Sequence, residues 1–274
     1  MNLKSFAILS AVIALSGCTL PKSPIINPTP DSSGITGNWE ITLTSTTYGG
    51  EYPFGIYLTQ TGSTVSGVGS WVGEAFPLCI ASTGPPCGYP YSMLSPNFSG
   101  TIGTDGSLVL TSPSSGSYPI TITINASTTN NTTLSGTFAI TTQTTTTDKG
   151  PVTGTMIAPL DGTYAGTLIS SVTGNNIGVT TTLSQSGPVS GSSLEYSGSA
   201  SFTGVYCIGS VTVPASGNFF GNRLIIDLYP ANIPQSGIYM TGTISPDAKT
   251  IAVNYESVSI SCSADFASGT LTLQ

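Results

Sequence analysis

The chain has 274 residues, of which only 6% are charged: 5 basic side chains stand against 12 acidic ones, the net charge is −7, and there is no histidine. So few cations cannot neutralise a run of phosphates, which excludes nucleic acid as a partner. Without histidine, a Ser-His-Asp triad, a Cys-His pair and a His-ligated zinc site are excluded too, and neither a metal nor a cofactor is expected. Gly and Pro are abundant, yet 38% of the residues are hydrophobic and 8% aromatic, which is the composition of a packed chain rather than a disordered one.

The chain begins with a leader. Lys4 precedes an apolar run from Phe6 to Leu15 broken only by Ser10. About ten residues is too short to span a bilayer, which takes ~20, and suits a secretory h-region. The run ends in Leu15-Ser16-Gly17-Cys18. That ending resembles the bacterial lipobox. The resemblance implies that residues 1–17 are a lipoprotein signal peptide, cleaved before Cys18. It further implies that Cys18 carries a thioether-linked diacylglycerol and an acylated (palmitate-type) amino group. Each buried methylene contributes ~0.8 kcal/mol, so several acyl chains on one residue anchor stably. The implied location is the bacterial cell envelope. Thr19 stands where Asp would mark inner-membrane retention, so the outer membrane is expected if the organism is diderm. Residues 18–33 contain Pro21, Pro24, Pro28 and Pro30 and read as an extended tether rising ~3.1 Å per residue.

The body is a repeat. Residues 37–62 (GNWEITLTSTTYGGEYPFGIYLTQTG) align without a gap to residues 162–187 (GTYAGTLISSVTGNNIGVTTTLSQSG), and Trp39 faces Tyr164. Both segments end in L-[TS]-Q-[TS]-G. The repeat divides the body into a first domain at 34–158 and a second at 159–274. Each has room for seven or eight strands. In the first strand Trp39, Ile41 and Leu43 share one face, and Glu40, Thr42 and Thr44 take the other. Such alternation belongs to an antiparallel sheet with one buried face. The stretches TLSGTFAITTQ (133–143) and YMTGTISPDAKTIAVNYES (239–257) read as hairpins, the second turning at Pro246-Asp247. Asp105-Gly106 and Asp148-Lys149-Gly150 read as turns.

Gly34-Ile35-Thr36-Gly37-Asn38-Trp39 resembles the opening strand of calycins, the superfamily of eight-stranded barrels that includes lipocalins and avidins. The resemblance implies barrel architecture. It departs from the avidin pattern at Ile41, where avidins carry Asn, so biotin is not expected. It departs from lipocalins because the sole Arg, Arg223, lies in the second domain. The expected fold class is all-β, two tandem antiparallel β-barrels (calycin-like) or β-sandwiches.

Cys79, Cys87, Cys207 and Cys262 remain once Cys18 is lipidated. In an oxidising compartment an even set reads as disulfides. The repeat favours Cys79–Cys87 and Cys207–Cys262 among the three pairings possible. Strand phase turns Glu40, Glu195, Asp227 and Glu256 away from the apolar faces, as solvated carboxylates. Only Glu74 has no clear phase, and a hydrolase would need it with a second carboxylate. No enzyme is expected. The aromatics of two loop-rich stretches offer a contact surface, with Tyr52, Trp71, Tyr89 and Tyr91 as candidate ligand contacts. The expected function is that of a membrane-anchored, non-catalytic binding module for a small apolar ligand, a glycan or an envelope protein. A structural or adhesive surface role is the alternative.

Overall fold

A computed structural model describes residues 34–71, 96–112, 120–142, 145–188, 194–228, 236–259 and 262–274. Among these are sixteen strands and no helix. The first eight are β1 (Gly37–Thr44), β2 (Glu51–Thr61), β3 (Thr64–Trp71), β4 (Asn97–Ile102), β5 (Ser107–Ser112), β6 (Ile120–Ser127), β7 (Thr133–Thr142) and β8 (Thr145–Ile157). The second eight are β9 (Asp161–Ile169), β10 (Asn176–Pro188), β11 (Leu194–Val205), β12 (Gly209–Phe220), β13 (Arg223–Leu228), β14 (Ser236–Ile244), β15 (Thr250–Ser259) and β16 (Cys262–Leu273). In each set every strand pairs antiparallel with the next, and the last returns to the first. The body is therefore two closed eight-stranded barrels. Closure leaves no edge strand among the described residues open to pair with another chain, and it decides for barrels over sandwiches.

The period-2 alternation of the sequence maps onto inside and outside. Trp39, Ile41 and Leu43 of β1 are fully buried, as are Phe54, Ile56 and Leu58 of β2. In the second barrel Leu194, Tyr196, Ala200 and Phe202 of β11 point inward, while Glu195, Ser197, Ser199 and Thr203 are exposed. Apolar interiors and Ser/Thr-rich exteriors are the reverse of a lipid-spanning barrel, whose outer band is apolar. Both interiors are lined by the chain's own buried apolar side chains. Trp39, Phe54, Phe98 and Phe138 belong to one core, and Tyr164, Tyr196, Phe202 and Phe219 to the other.

The repeated motif does the same work twice. The Gln60 side-chain oxygen accepts the Ile35 N–H at 3.0 Å, and that of Gln185 accepts the Leu160 N–H at 2.9 Å. These bonds hold the residue that leads into each first strand. The same glutamines present their own N–H groups to Thr36 Oγ1 and to Asp161 Oδ1. Trp39 Nε1 donates to the Ile35 carbonyl, and the Tyr164 hydroxyl donates to the Ala248 carbonyl. Each buried aromatic thereby keeps a hydrogen bond at the base of its barrel, the end where β1 or β9 begins.

The hairpin expected at 239–257 is β14 and β15, joined through Pro246 and Asp247. The stretch 133–143 is no hairpin: residues 133–142 are the single strand β7. Gly136 marks a close approach, not a turn, because a Cβ there would overlap the Asn125 carbonyl of β6. The 148–150 stretch is likewise no turn but part of β8.

A disulfide joins Cys207, in the turn after β11, to Cys262 at the start of β16, with a Cα–Cα separation of 6.4 Å. It crosses the mouth of the second barrel, the end opposite its base.

Candidate functional site

Of the residues picked out from the sequence, Cys18, Glu74, Cys79, Cys87, Tyr89 and Tyr91 lie outside the described residues. Trp71 ends β3, opposite Phe54 of β2. Tyr52 points into the first barrel and is buried with its core. Its hydroxyl donates to the Gly49 carbonyl at 3.3 Å, and burial, then the nearby Asp148 charge, pushes it above the usual phenol range.

Each barrel carries a buried carboxylate at its mouth. Asp148 Oδ1 accepts from Ser45 Oγ at 2.7 Å, and Asp265 Oδ1 accepts from Ser170 Oγ at 2.9 Å. The two serines in turn accept the N–H groups of Tyr48 and Thr173 within the turns that follow β1 and β9. These carboxylates hold turns in shape. Their second oxygens are buried and unbonded, as is the Tyr255 hydroxyl in the second barrel. Burial raises Tyr255 to about 12, with Asp265 adding to the rise and Ser257 offsetting part of it.

The base of the first barrel holds a cavity of about 600 Å³. Three turns distant in sequence wall it: Gly62 and Ser63 after β2, Gly103 to Gly106 after β4, and Thr128, Thr129 and Asn131 after β6. Gln60 and Ile102 complete it. Main-chain bonds lace the turns together. Ile102 N–H donates to the Ser63 carbonyl at 2.9 Å, and Thr128 N–H to the Gly106 carbonyl at 3.0 Å. Gly106 has φ +80°, and a Cβ there would overlap the Thr128 carbonyl, so the position takes only glycine. Asp105 is fully exposed. Hydrogen bonds from the Ser107 hydroxyl at 2.6 Å and its N–H at 3.0 Å hold its carboxyl below the usual range. The lining thus offers hydroxyls, main-chain groups and one anion, with no cation. The sequence marked only the Asp105-Gly106 turn. Nothing in it could reveal that three separate turns meet.

The second notable position is Glu40. The sequence turned it to solvent, and the structure corrects this: it is half-buried under the second barrel. The turn between β12 and β13 lies against β1 and β2. Asn222 N–H donates to Glu40 Oε2 at 3.1 Å, and Asn38 Nδ2 donates to the Gly221 carbonyl at 2.6 Å. Burial pushes the Glu40 carboxyl up to about 7, against smaller opposing pulls from the Asn222 bond and the Arg223 charge. Among the described residues no group of three or more Cys, Asp or Glu side chains could hold a metal.

No family model matches the chain, and no curated protein matches it. Three solved structures are similar over most of its length. A protein of unknown function from the DUF3598 family of Nostoc punctiforme is 10% identical, covering 87% of this chain and 96% of its own, with a TM-score of 0.27. Kievitone hydratase from Nectria haematococca is 11% identical, covering 91% and 93%, with a TM-score of 0.25. The vaccine antigen transferrin binding protein B from Haemophilus parasuis is 10% identical, covering 82% of this chain and 64% of that one, with a TM-score of 0.23. Likenesses this low assign no family and no activity. They do correct one expectation. Kievitone hydratase is an enzyme, so the exclusion of catalysis drawn from the sequence does not stand.

Proposed function

We propose that this chain is a lipid-anchored module of the bacterial envelope, held through Cys18 and a Pro-rich tether, that binds a small hydroxyl-rich ligand at the base of its first barrel. The observation that carries the reading is the cavity of about 600 Å³ at the base of a barrel whose own interior is lined by an apolar core. A lipocalin-like apolar ligand would need an empty barrel interior. The cavity instead presents Ser63, Thr104, Thr128 and Thr129 around the ionised Asp105. Hydroxyl and main-chain groups suit a neutral polyol such as an oligosaccharide. The anion, with no cation nearby, disfavours phosphorylated or acidic ligands. The tether would hold this surface clear of the bilayer.

Calorimetric titration of the full chain in detergent with neutral oligosaccharides, and with acidic ones as a control, tests this. Binding of a neutral glycan that is lost in Thr129→Trp, which fills the cavity, supports the reading. Binding that survives that substitution, or binding of acidic glycans alone, contradicts it.

A further inference from the structure

Glu40 occupies an unusual place for a carboxylate on the outer face of a barrel. The β12–β13 turn sits directly on it. A Cβ built on Gly221 would overlap Glu40 Oε2 and come within 3.0 Å of the Gly55 Cα. Gly221 has φ +54°, so both its conformation and its tight seat require glycine. The turn is held by two hydrogen bonds, Asn222 N–H to Glu40 and Asn38 to the Gly221 carbonyl. Beside them Tyr57 of β2 packs on the second barrel's core. Through these contacts the seat joins β12 and its turn to β1 and β2.

We propose that the seat of the β12–β13 turn on β1 is a pH-sensitive joint between the two barrels, firm when Glu40 is protonated and loosened when it is ionised. The titratable groups around it are few. The Asn222 N–H and, more weakly, Arg223 of β13 both favour the ionised form, and burial under the turn outweighs them. Tyr57 of β2 is raised by burial and stays neutral throughout the range concerned. The residues opposite Glu40 on β2 and β8 are Gly55 and Thr155, which do not titrate. The turn itself adds only Gly221 and Asn222.

The sign follows from linkage. In the seated joint burial raises Glu40 from its ordinary 4.5 to about 7, and lifting the turn away relieves that burial. The seated form therefore holds the extra proton between those values, so seating is fully favoured in acid and weakens as pH rises toward 7. With the whole rise assigned to the turn, the ratio of seated to lifted joint falls by up to about 70-fold between pH 5 and pH 8.

Amide hydrogen exchange of the full chain, read on peptides covering residues 219–224 and normalised to β15 of the same molecule, tests the proposal. The expected result is a loss of protection by up to about 70-fold from pH 5 to pH 8 in the wild type, with a flat profile in Glu40→Gln. Gly221→Ala forces the turn off the carboxylate and is expected to lose the protection already at pH 5. Equal, pH-independent protection in the wild type overturns the proposal whether or not the Gln variant folds. Full protection of Gly221→Ala at pH 5 overturns it as well.

Discussion

Replacing both Cys207 and Cys262 by serine should destabilise one barrel and spare the other. The bridge spans a sequence separation of 55 residues. Closing a loop of that size removes ~14 cal/mol/K from the unfolded chain, or about 4 kcal/mol at 25 °C in the chain-entropy model. Both cysteines belong to the second barrel, so the loss should fall there. Serine at both positions keeps the side chains small and polar. It also leaves unchanged the cost of holding residue 207 at φ +60°. With a urea dependence of about 2 kcal/mol/M for a unit of this size, the second barrel's midpoint should drop by about 2 M. The two tryptophans, Trp39 and Trp71, lie in the first barrel. Tryptophan fluorescence therefore follows the first barrel alone, while far-ultraviolet circular dichroism follows both. The double variant should lower the second barrel's part of the dichroism transition and keep the fluorescence midpoint. A dichroism shift below about 0.5 M would refute the loop argument. An equal fall of the fluorescence midpoint would refute the assignment of the loss to the second barrel alone.

Other consequences can be checked in the same assay. Asp265→Ala removes the acceptor shared by Ser170, Ser171 and Val172 and should cost the second barrel about 2–3 kcal/mol. Gly136→Ala should cost the first barrel about 1–3 kcal/mol, read from tryptophan fluorescence, because the added methyl meets the β6 backbone. Tyr255→Phe deletes an unbonded buried hydroxyl and should leave the second barrel equally stable or stabilise it by about 1 kcal/mol. Because burial raises Tyr255 to about 12, its contribution is complete below the ordinary phenol value of 10 and is lost as pH rises toward 12. The Phe variant should be less sensitive than the wild type across that window.

Much of the architecture is legible in the residues. Trp39, Ile41 and Leu43 alternate with polar neighbours, and that period alone gives a strand with one buried face. The repeat of G-x-[WY] and L-[TS]-Q-[TS]-G gives two equivalent units. What the glutamine does is not legible, since its partner, Ile35 or Leu160, is 25 residues away. Period also misleads where glycine has two meanings. The stretch 133–143 read as a hairpin, yet residues 133–142 are one strand, in which Gly136 lets the Asn125 carbonyl come close. Glu40 shows the sharper limit. Its phase correctly places it on the outside of its own barrel, but no local pattern reveals that a turn 182 residues later covers it. The cavity at the base has the same origin. Its three turns are made adjacent by barrel closure, and closure is a property of the whole sheet.

Attachment to a membrane through Cys18 is what would make these barrels a tethered envelope module, and intact mass of the protein extracted from its native membrane tests it most directly. The account predicts a polypeptide beginning at Cys18, heavier by its acyl chains, and lighter when unreduced by the hydrogens of the Cys207–Cys262 bridge. An unmodified Cys18, or a chain still carrying residues 1–17, would contradict it and remove the membrane from the function proposed.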